Sequence, residues 1–231
     1  MKAVSLAGAF LGSALLACIM ASPLSAAIVY SQDFSSITLA DKPNSYLGGY
    51  YGSQLAYGEW VRSGSTVSLT SGSLQVSSDS GFRSAAVLLD PALFPSAGTY
   101  TLTFDVLGYS GDANDTATVG VWTGSGYDMA HSSGNALILN SQTGNLQALG
   151  SATSSLLSST TYSVAGTYSV NFTYDGSSTI ALFFAATTGG YPFPTVLYDD
   201  VSIASAAAVP EASIPAILGF AASIGLLRRR R

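Results

Sequence analysis

Cysteine, histidine and positive charge are scarce in this chain of 231 residues. The one cysteine, Cys18, falls in an N-terminal apolar stretch, so no disulfide within the chain and no thiolate metal cluster can form. The one histidine, His131, rules out a histidine-rich metal site. It stands in Tyr127-Asp128-Met129-Ala130-His131-Ser132-Ser133, where no Gly-x-Ser-x-Gly elbow accompanies it, and it reads as a surface-turn residue. Charged residues are 9% of the chain, against about 25% in ordinary soluble domains. Between the two terminal segments the only basic residues are Lys42, Arg62 and Arg83, facing twelve acids from Asp33 to Asp200. A body about nine charges negative has no field to attract a phosphate backbone, which argues against nucleic acid as a partner. The body has a single glutamate, Glu59, and no phosphate loop, and nothing in it marks a pair of carboxylates for glycoside hydrolysis.

The basic residues that remain sit at the ends. Lys2 opens an apolar run to Met20, Pro23 breaks it, and Ser25, Ala26 and Ala27 follow. A charged start, a short apolar stretch and a small-residue site make residues 1–27 a signal peptide. Signal peptidase is expected to cut after Ala27, with Ala26 as the second choice; a retained anchor is the alternative. Leu15-Leu16-Ala17-Cys18 resembles a bacterial lipoprotein box, in which the cysteine becomes a lipidated first residue. Leu16 and the apolar residues after Cys18 depart from that pattern, and the simpler reading is that Cys18 leaves with the leader.

The body, residues 28–203, alternates apolar and polar positions. Tyr100, Leu102, Phe104 and Val106 share one face, as expected of a strand with one buried side. The same spacing joins Leu74 with Val76, Ala85 with Val87 and Leu89, and Ala117 with Val119 and Val121. It also joins Tyr168 with Val170, Phe172 and Tyr174, Ile180 with Leu182 and Phe184, and Val201 with Ile203. Ser71-Gly72-Ser73 and Asp175-Gly176 read as hairpin turns. About ten short strands without a sustained helical period predict an all-β fold, an antiparallel β-sandwich of jelly-roll type. Residues 97–104 and 165–172 echo each other, which predicts two similar strands each entered through a glycine turn.

Two groups stand out as candidate sites. The stretch from Tyr46 to Trp60 holds four tyrosines and a tryptophan on a glycine-rich background. Tyr50, Tyr51, Tyr57 and Trp60, with Trp122 on the outward face of its strand, are candidate glycan contacts, because aromatic faces with polar tips suit sugar rings. The plainer alternative is that they cap or fill the sandwich. The second group is acidic: Asp33 in Gln32-Asp33-Phe34, and Asp199 and Asp200 in Leu197-Tyr198-Asp199-Asp200-Val201-Ser202-Ile203. Here the chain resembles carbohydrate-binding-module jelly rolls of the galactose-binding-like type. The resemblance implies that the first and last strands pair, with a structural calcium held near Asp33 and Asp200, and Asp199 behind them. Strand parity places Asp199 on the inward face of Val201 and Ile203. The alternative is a set of acids on a solvated strand.

The chain closes with VPEASIPAILGFAASIGLLRRRR. Residues 204–209 read as a linker. Pro210-Glu211-Ala212-Ser213 precedes an apolar run from Ile214 to Leu227, and then come Arg228, Arg229, Arg230 and Arg231. Fourteen helical residues span about 21 Å, short of the ~30 Å hydrocarbon core, yet such a helix inserts with local thinning. The arginines then act as a cytoplasmic stop-transfer. The last 23 residues, with 210–231 as the sorting segment, resemble the PEP-CTERM sorting signal at Val209, Pro210, Glu211 and Ser213 and in the arginine cluster; Ala212 departs from the usual proline. The resemblance implies a bacterial protein recognised by an exosortase, a membrane-embedded transpeptidase-like enzyme, and left at the cell surface or outside it. The expectation is an exported matrix protein with a structural or adhesive role. Its alternatives are a non-catalytic carbohydrate-binding module bound to extracellular polysaccharide and, behind that, a glycan-active hydrolase.

Overall fold

The computed structural model describes residues 26–40, 52–79, 82–112, 114–127, 137–140, 145–188 and 191–206. The predicted signal and sorting helices, with His131, Tyr50, Tyr51, Val209, Pro210, Glu211, Ser213 and Arg228 to Arg231, lie outside them. Among the described residues no helix is long and apolar enough to cross a membrane.

Strands of alternating apolar residues build the first antiparallel sheet. Its members are β1 (Ile28–Gln32), β4 (Val67–Thr70), β5 (Ser73–Ser77), β7 (Gly98–Ser110), β12 (Gly166–Tyr174) and β14 (Thr195–Ser205). They run in the order β12-β7-β14-β5-β4, and β1 joins β14. The predicted pairing of first and last strands is therefore present, from Gln32 beside Val201 to Ile28 beside Ala204. β14 carries two partners end to end on that edge, because Thr195 to Tyr198 face β5 and Val201 to Ala204 face β1.

The second sheet contains β3 (Trp60–Arg62), β6 (Phe82–Leu89), β8 (Thr116–Ser125), β11 (Thr153–Tyr162) and β13 (Thr179–Thr187), ordered β11-β8-β13-β6-β3. The inward residues read from the sequence pack between the two sheets: Leu74, Val76, Val87, Leu89, Leu102, Phe104, Val119, Val121, Phe172, Ile180, Leu182 and Ile203. Each such side chain contributes roughly 1.5–3 kcal/mol relative to exposure.

The other face of the second sheet is also covered. Strands β2 (Gly52–Gln54), β9 (Leu137–Asn140) and β10 (Leu146–Ala148) form a small antiparallel sheet. Leu137, Leu139 and Leu146 from it, with Leu55, bury Val61, Ala86, Leu88, Ala181, Phe183 and Ala185. All of β13 except Thr187 is buried. Strands wrapped on both faces lose alternation and become continuous apolar runs, which is what Ile180 to Ala186 and Ala85 to Leu89 are.

The turns divide into one success and one correction. Ser71 and Gly72 have φ of 52° and 84°, and they close a two-residue hairpin between Thr70 and Ser73. The Asp175-Gly176 turn is not a hairpin. It carries the chain from β12 in the first sheet to β13 in the second. The Asp175 carboxylate makes that crossing by accepting from the amides of Ser177 and Ser178 and from the Ser178 hydroxyl. The Ser178 hydroxyl, followed by those amides, pulls the Asp175 carboxyl down to about 2.

The sequence echo is a pair of neighbours. β7 and β12 lie antiparallel, with Tyr100 opposite Phe172 and Phe104 opposite Tyr168. Each repeat tyrosine ties down the loop before it: Tyr100 donates to the Ser96 carbonyl at 2.8 Å, and Tyr168 to that of Val164 at 2.9 Å. A third tyrosine links the sheets. Tyr198 of β14 is fully buried and donates to the Ala185 carbonyl of β13 at 3.0 Å. Replacing Tyr198 with Phe removes that bond between the sheets, so urea unfolding should show a loss of about 1 kcal/mol. An unchanged midpoint would remove the strut from the account of stability.

Candidate functional site

Trp60 leaves the set of candidate ligand contacts. Its ring lies in the core between the sheets, 1% exposed, 5.0 Å from Phe34 and 5.6 Å from Phe184. The indole N–H donates to the Tyr30 hydroxyl at 3.2 Å. The cause is strand parity. Trp60 pairs with Val87, and cross-strand partners share a face, so the ring points where Val87 points.

Trp122 behaves differently. Ala117, Val119 and Val121 face the core between the sheets, and Trp122 projects from the opposite face, half-buried against the second apolar cluster. It pairs with Leu156 of β11, which is 48% exposed. Gly120, on the same face, makes room for both. A Cβ there would lie 3.3 Å from a Leu156 methyl and 3.5 Å from the Trp122 Nε1. That indole nitrogen is buried without a hydrogen-bond partner.

Beyond Trp122 the strand reaches Gly124, across which Tyr127 lies. Tyr127 donates to the Thr153 carbonyl at 2.9 Å. A Cβ on Gly124 would overlap both the Tyr127 hydroxyl and the Thr153 oxygen. Burial, and then the neighbouring Tyr57 phenol, push the Tyr127 hydroxyl up to about 12, so it stays neutral and a donor across the physiological range. Tyr57 is 39% exposed, and its hydroxyl stands 3.5 Å from that of Thr179, the residue paired with Gly124. Tyr57, Trp122 and Tyr127 thus gather with Leu156 into an aromatic shelf at one end of the second sheet. Sequence reading found Tyr57 and Trp122 and missed Tyr127. The spacing Gly120-x-Trp122-x-Gly124-x-x-Tyr127, bare backbone flanking rings, was the available signal.

The acidic group is arranged otherwise than parity implied. Asp199 does not face inward. Tyr198 and Val201 are both buried, with Asp199 and Asp200 between them on a β-bulge, and Asp200 has φ 47°. The bulge sits where the edge of β14 passes from β5 to β1, and the extra residue resets the alternation. Asp199 turns to the Ser73 hydroxyl, accepting at 3.1 Å. Asp33 and Asp200 do share an open cleft of about 570 Å3, with Ser31, Gln32, Ser36 and Ser202. Phe34, next to Asp33, plugs the core.

Calcium takes about six to eight oxygen ligands, several of them carboxylate. Asp199 is engaged elsewhere, and one oxygen of Asp33 already accepts from the Ser35 amide and hydroxyl. No group of three or more carboxylates, imidazoles or thiolates converges among the described residues. Asp33 and Asp200 thus line one cleft, and Asp199 turns from it to Ser73. The Ser35 amide, then its hydroxyl, holds the Asp33 carboxyl below the usual range.

No family model matches the chain, and no curated protein matches it. Among solved structures it is similar to the CBM22-1–CBM22-2 tandem domain from Paenibacillus barcinonensis, at 16% identity and TM-score 0.45 over 82% of this chain and 52% of that one. The CBM22-2 xylan-binding domain of that organism gives 17% and 0.41 over 77% and 99%. A cleaved adhesin domain of Lys-gingipain from Porphyromonas gingivalis gives 16% and 0.34 over 78% and 100%.

The close seating of Tyr127 on Gly124 makes that glycine a point of control. Gly124→Ala should displace the Tyr127 ring and cost about 1–3 kcal/mol in thermal or urea unfolding. A variant as stable as the parent, with the Tyr127 fluorescence environment unchanged, would contradict the packing.

Proposed function

We propose that residues 26–206 form a non-catalytic carbohydrate-binding domain of an exported bacterial protein. The observation that carries this reading is the shelf of Tyr57, Trp122, Tyr127 and Leu156: three aromatic side chains and an exposed apolar neighbour on a rigid sheet. Such rings bury the C–H faces of a sugar, while the Tyr57 hydroxyl, 3.5 Å from that of Thr179, is at hand for a polar group at its edge. Among the described residues the shelf has no arginine or lysine, and the body is strongly acidic, so the ligand that suits it is a neutral polysaccharide. Xylan is the first polymer to test, being the ligand named for the similar solved domains.

In affinity electrophoresis the full-length chain should be retarded by soluble neutral xylan or β-glucan. Trp122→Ala and Tyr57→Ala should each weaken that retardation about tenfold, some 1.4 kcal/mol. A parent chain that migrates freely through every neutral polysaccharide would end this reading.

The sorting address supports a location for the domain. Val209, Pro210, Glu211 and Ser213, the apolar run and Arg228 to Arg231 match the three-part order of an exosortase signal, and the leader directs the body outward. A carbohydrate-binding domain held at the cell surface would adhere to extracellular matrix, which joins the adhesive and the binding roles. Intact-mass analysis of surface protein from the native host should give a chain starting at Ile28 and ending near Pro210-Glu211. A mass that retains Arg228 to Arg231 would refute processing.

A further inference from the structure

The sandwich receives and releases its chain at one end. The Ala27 amide meets the Ser205 hydroxyl at 3.2 Å, the Ser205 amide donates to the Ala27 carbonyl at 2.9 Å, and the Ala206 amide donates to the Thr99 carbonyl. The shelf lies toward this end too, since Gly124 pairs with Thr179 at the start of β13 and the next residue, Ile180, pairs with Leu89. The opposite end is where β13 finishes at Thr187 and β14 begins at Thr195 beside Ser110 and Ser77. Nine residues of β13 separate the two ends, about 26 Å of strand at 3.3 Å per step.

At that far end stands an aromatic pair that the shelf does not use. Tyr191 is 85% exposed, the most exposed of the large apolar side chains among the described residues, and Phe193 is 38% exposed. Their ring centroids lie 5.6 Å apart with planes at 82°, so together they present one face and one edge. Pro192 and Pro194 restrict the backbone on both sides of Phe193. The loop is pinned where it joins β14: the Ser78 amide donates to the Pro194 carbonyl at 3.0 Å, and the Ser77 and Thr195 hydroxyls meet at 3.0 Å. A stiffened loop that keeps two rings in water has them ready for a ligand at little further entropy cost.

We infer that Tyr191 and Phe193 form a second carbohydrate contact, separate from the shelf, that takes a neutral polysaccharide chain. The inference rests on the carbohydrate reading above and extends it from one contact to two. Charge and topology favour this occupant over a lipid surface. The acids Asp112 and Asp115 of the β7–β8 loop lie at the same end, and Arg83, which reaches it, is ion-paired with Asp79 at 2.7 Å. An anionic bilayer would be repelled. Ser205 and Ala206, where β14 ends, bond to Ala27 and Thr99 at the other end of the sandwich, so Tyr191 stands at the end of the fold away from both chain ends of the domain. Two contacts about 26 Å apart allow one domain to join two polysaccharide strands.

The test uses the full-length chain in gels containing soluble xylan, hydroxyethylcellulose or anionic alginate, with Tyr191→Ala, Tyr191→Ala/Phe193→Ala and Trp122→Ala as variants. Both tip residues are exposed, so their removal should leave the melting temperature within about 2 °C. The double tip variant should bind a neutral polysaccharide at least fivefold more weakly than the parent, with alginate giving no retardation of either. Combining the tip and Trp122 changes should abolish retardation. Retardation of the tip variant equal to the parent, while Trp122→Ala weakens it, overturns the second contact and leaves the shelf standing. Tip-dependent binding to anionic vesicles instead of polysaccharide overturns it in favour of a membrane. A parent chain unretarded by any polymer removes both contacts together.

Discussion

Burial of the second sheet on both of its faces is the constraint from which the rest of the structure follows. Strand β13 contributes Ile180, Leu182 and Phe184 to one apolar layer and Ala181, Phe183 and Ala185 to the other. A strand in that position has no face left for water, so the chain must supply a covering layer. Leu55 and the small sheet supply it with Leu137, Leu139 and Leu146. Among the described residues this layer lies over β3, β6 and β13. Trp122, among the same described residues, packs against the edge of that layer, and Leu156 beside it is 48% exposed.

Much of the sandwich was legible because side-chain parity is a strong signal wherever one face is wet. Tyr100, Leu102, Phe104 and Val106 point inward, as do Ala117, Val119 and Val121, and the first and last strands pair. The third layer was hidden by the same reasoning. Alternation was sought in Ile180 to Ala186, although an unbroken run of seven apolar residues is the mark of a strand enclosed on both sides. The Asp175-Gly176 turn was misread because turn chemistry reports a reversal and not the sheet that the next strand joins. Trp60 was misplaced for a related reason. A tryptophan in a glycine- and tyrosine-rich stretch resembles a ligand surface, and only its pairing with Val87 decides which way it points.

The site residues divide along the same line. Tyr57 and Trp122 were accessible to sequence reading as aromatics, yet their meeting with Tyr127 depends on Gly124 lying beneath one ring and beside Thr179. Asp199 shows how one inserted residue defeats parity. The edge of β14 changes partner from β5 to β1, the ladder takes up the mismatch as a bulge, and every side chain beyond it exchanges faces relative to a regular strand. Val201 and Ile203 are inward because of that exchange, and the cleft with Asp33 and Asp200 opens beside it.

The position of β14 also has a mechanical meaning. This last strand of the domain is an interior one, bonded to β7 along one edge and to β5 and then β1 along the other. A pull on the chain beyond Ser205 runs along the strand axis, and it meets ladders on both edges at once. Those bonds are loaded in shear, so several must yield together, whereas a strand at a sheet edge peeled from its tip gives way one bond at a time. Because β1 enters beside the same point, the load reaches the middle of the first sheet without passing through the loops at the far end. The sandwich would therefore keep its shape under a pull applied at Ser205.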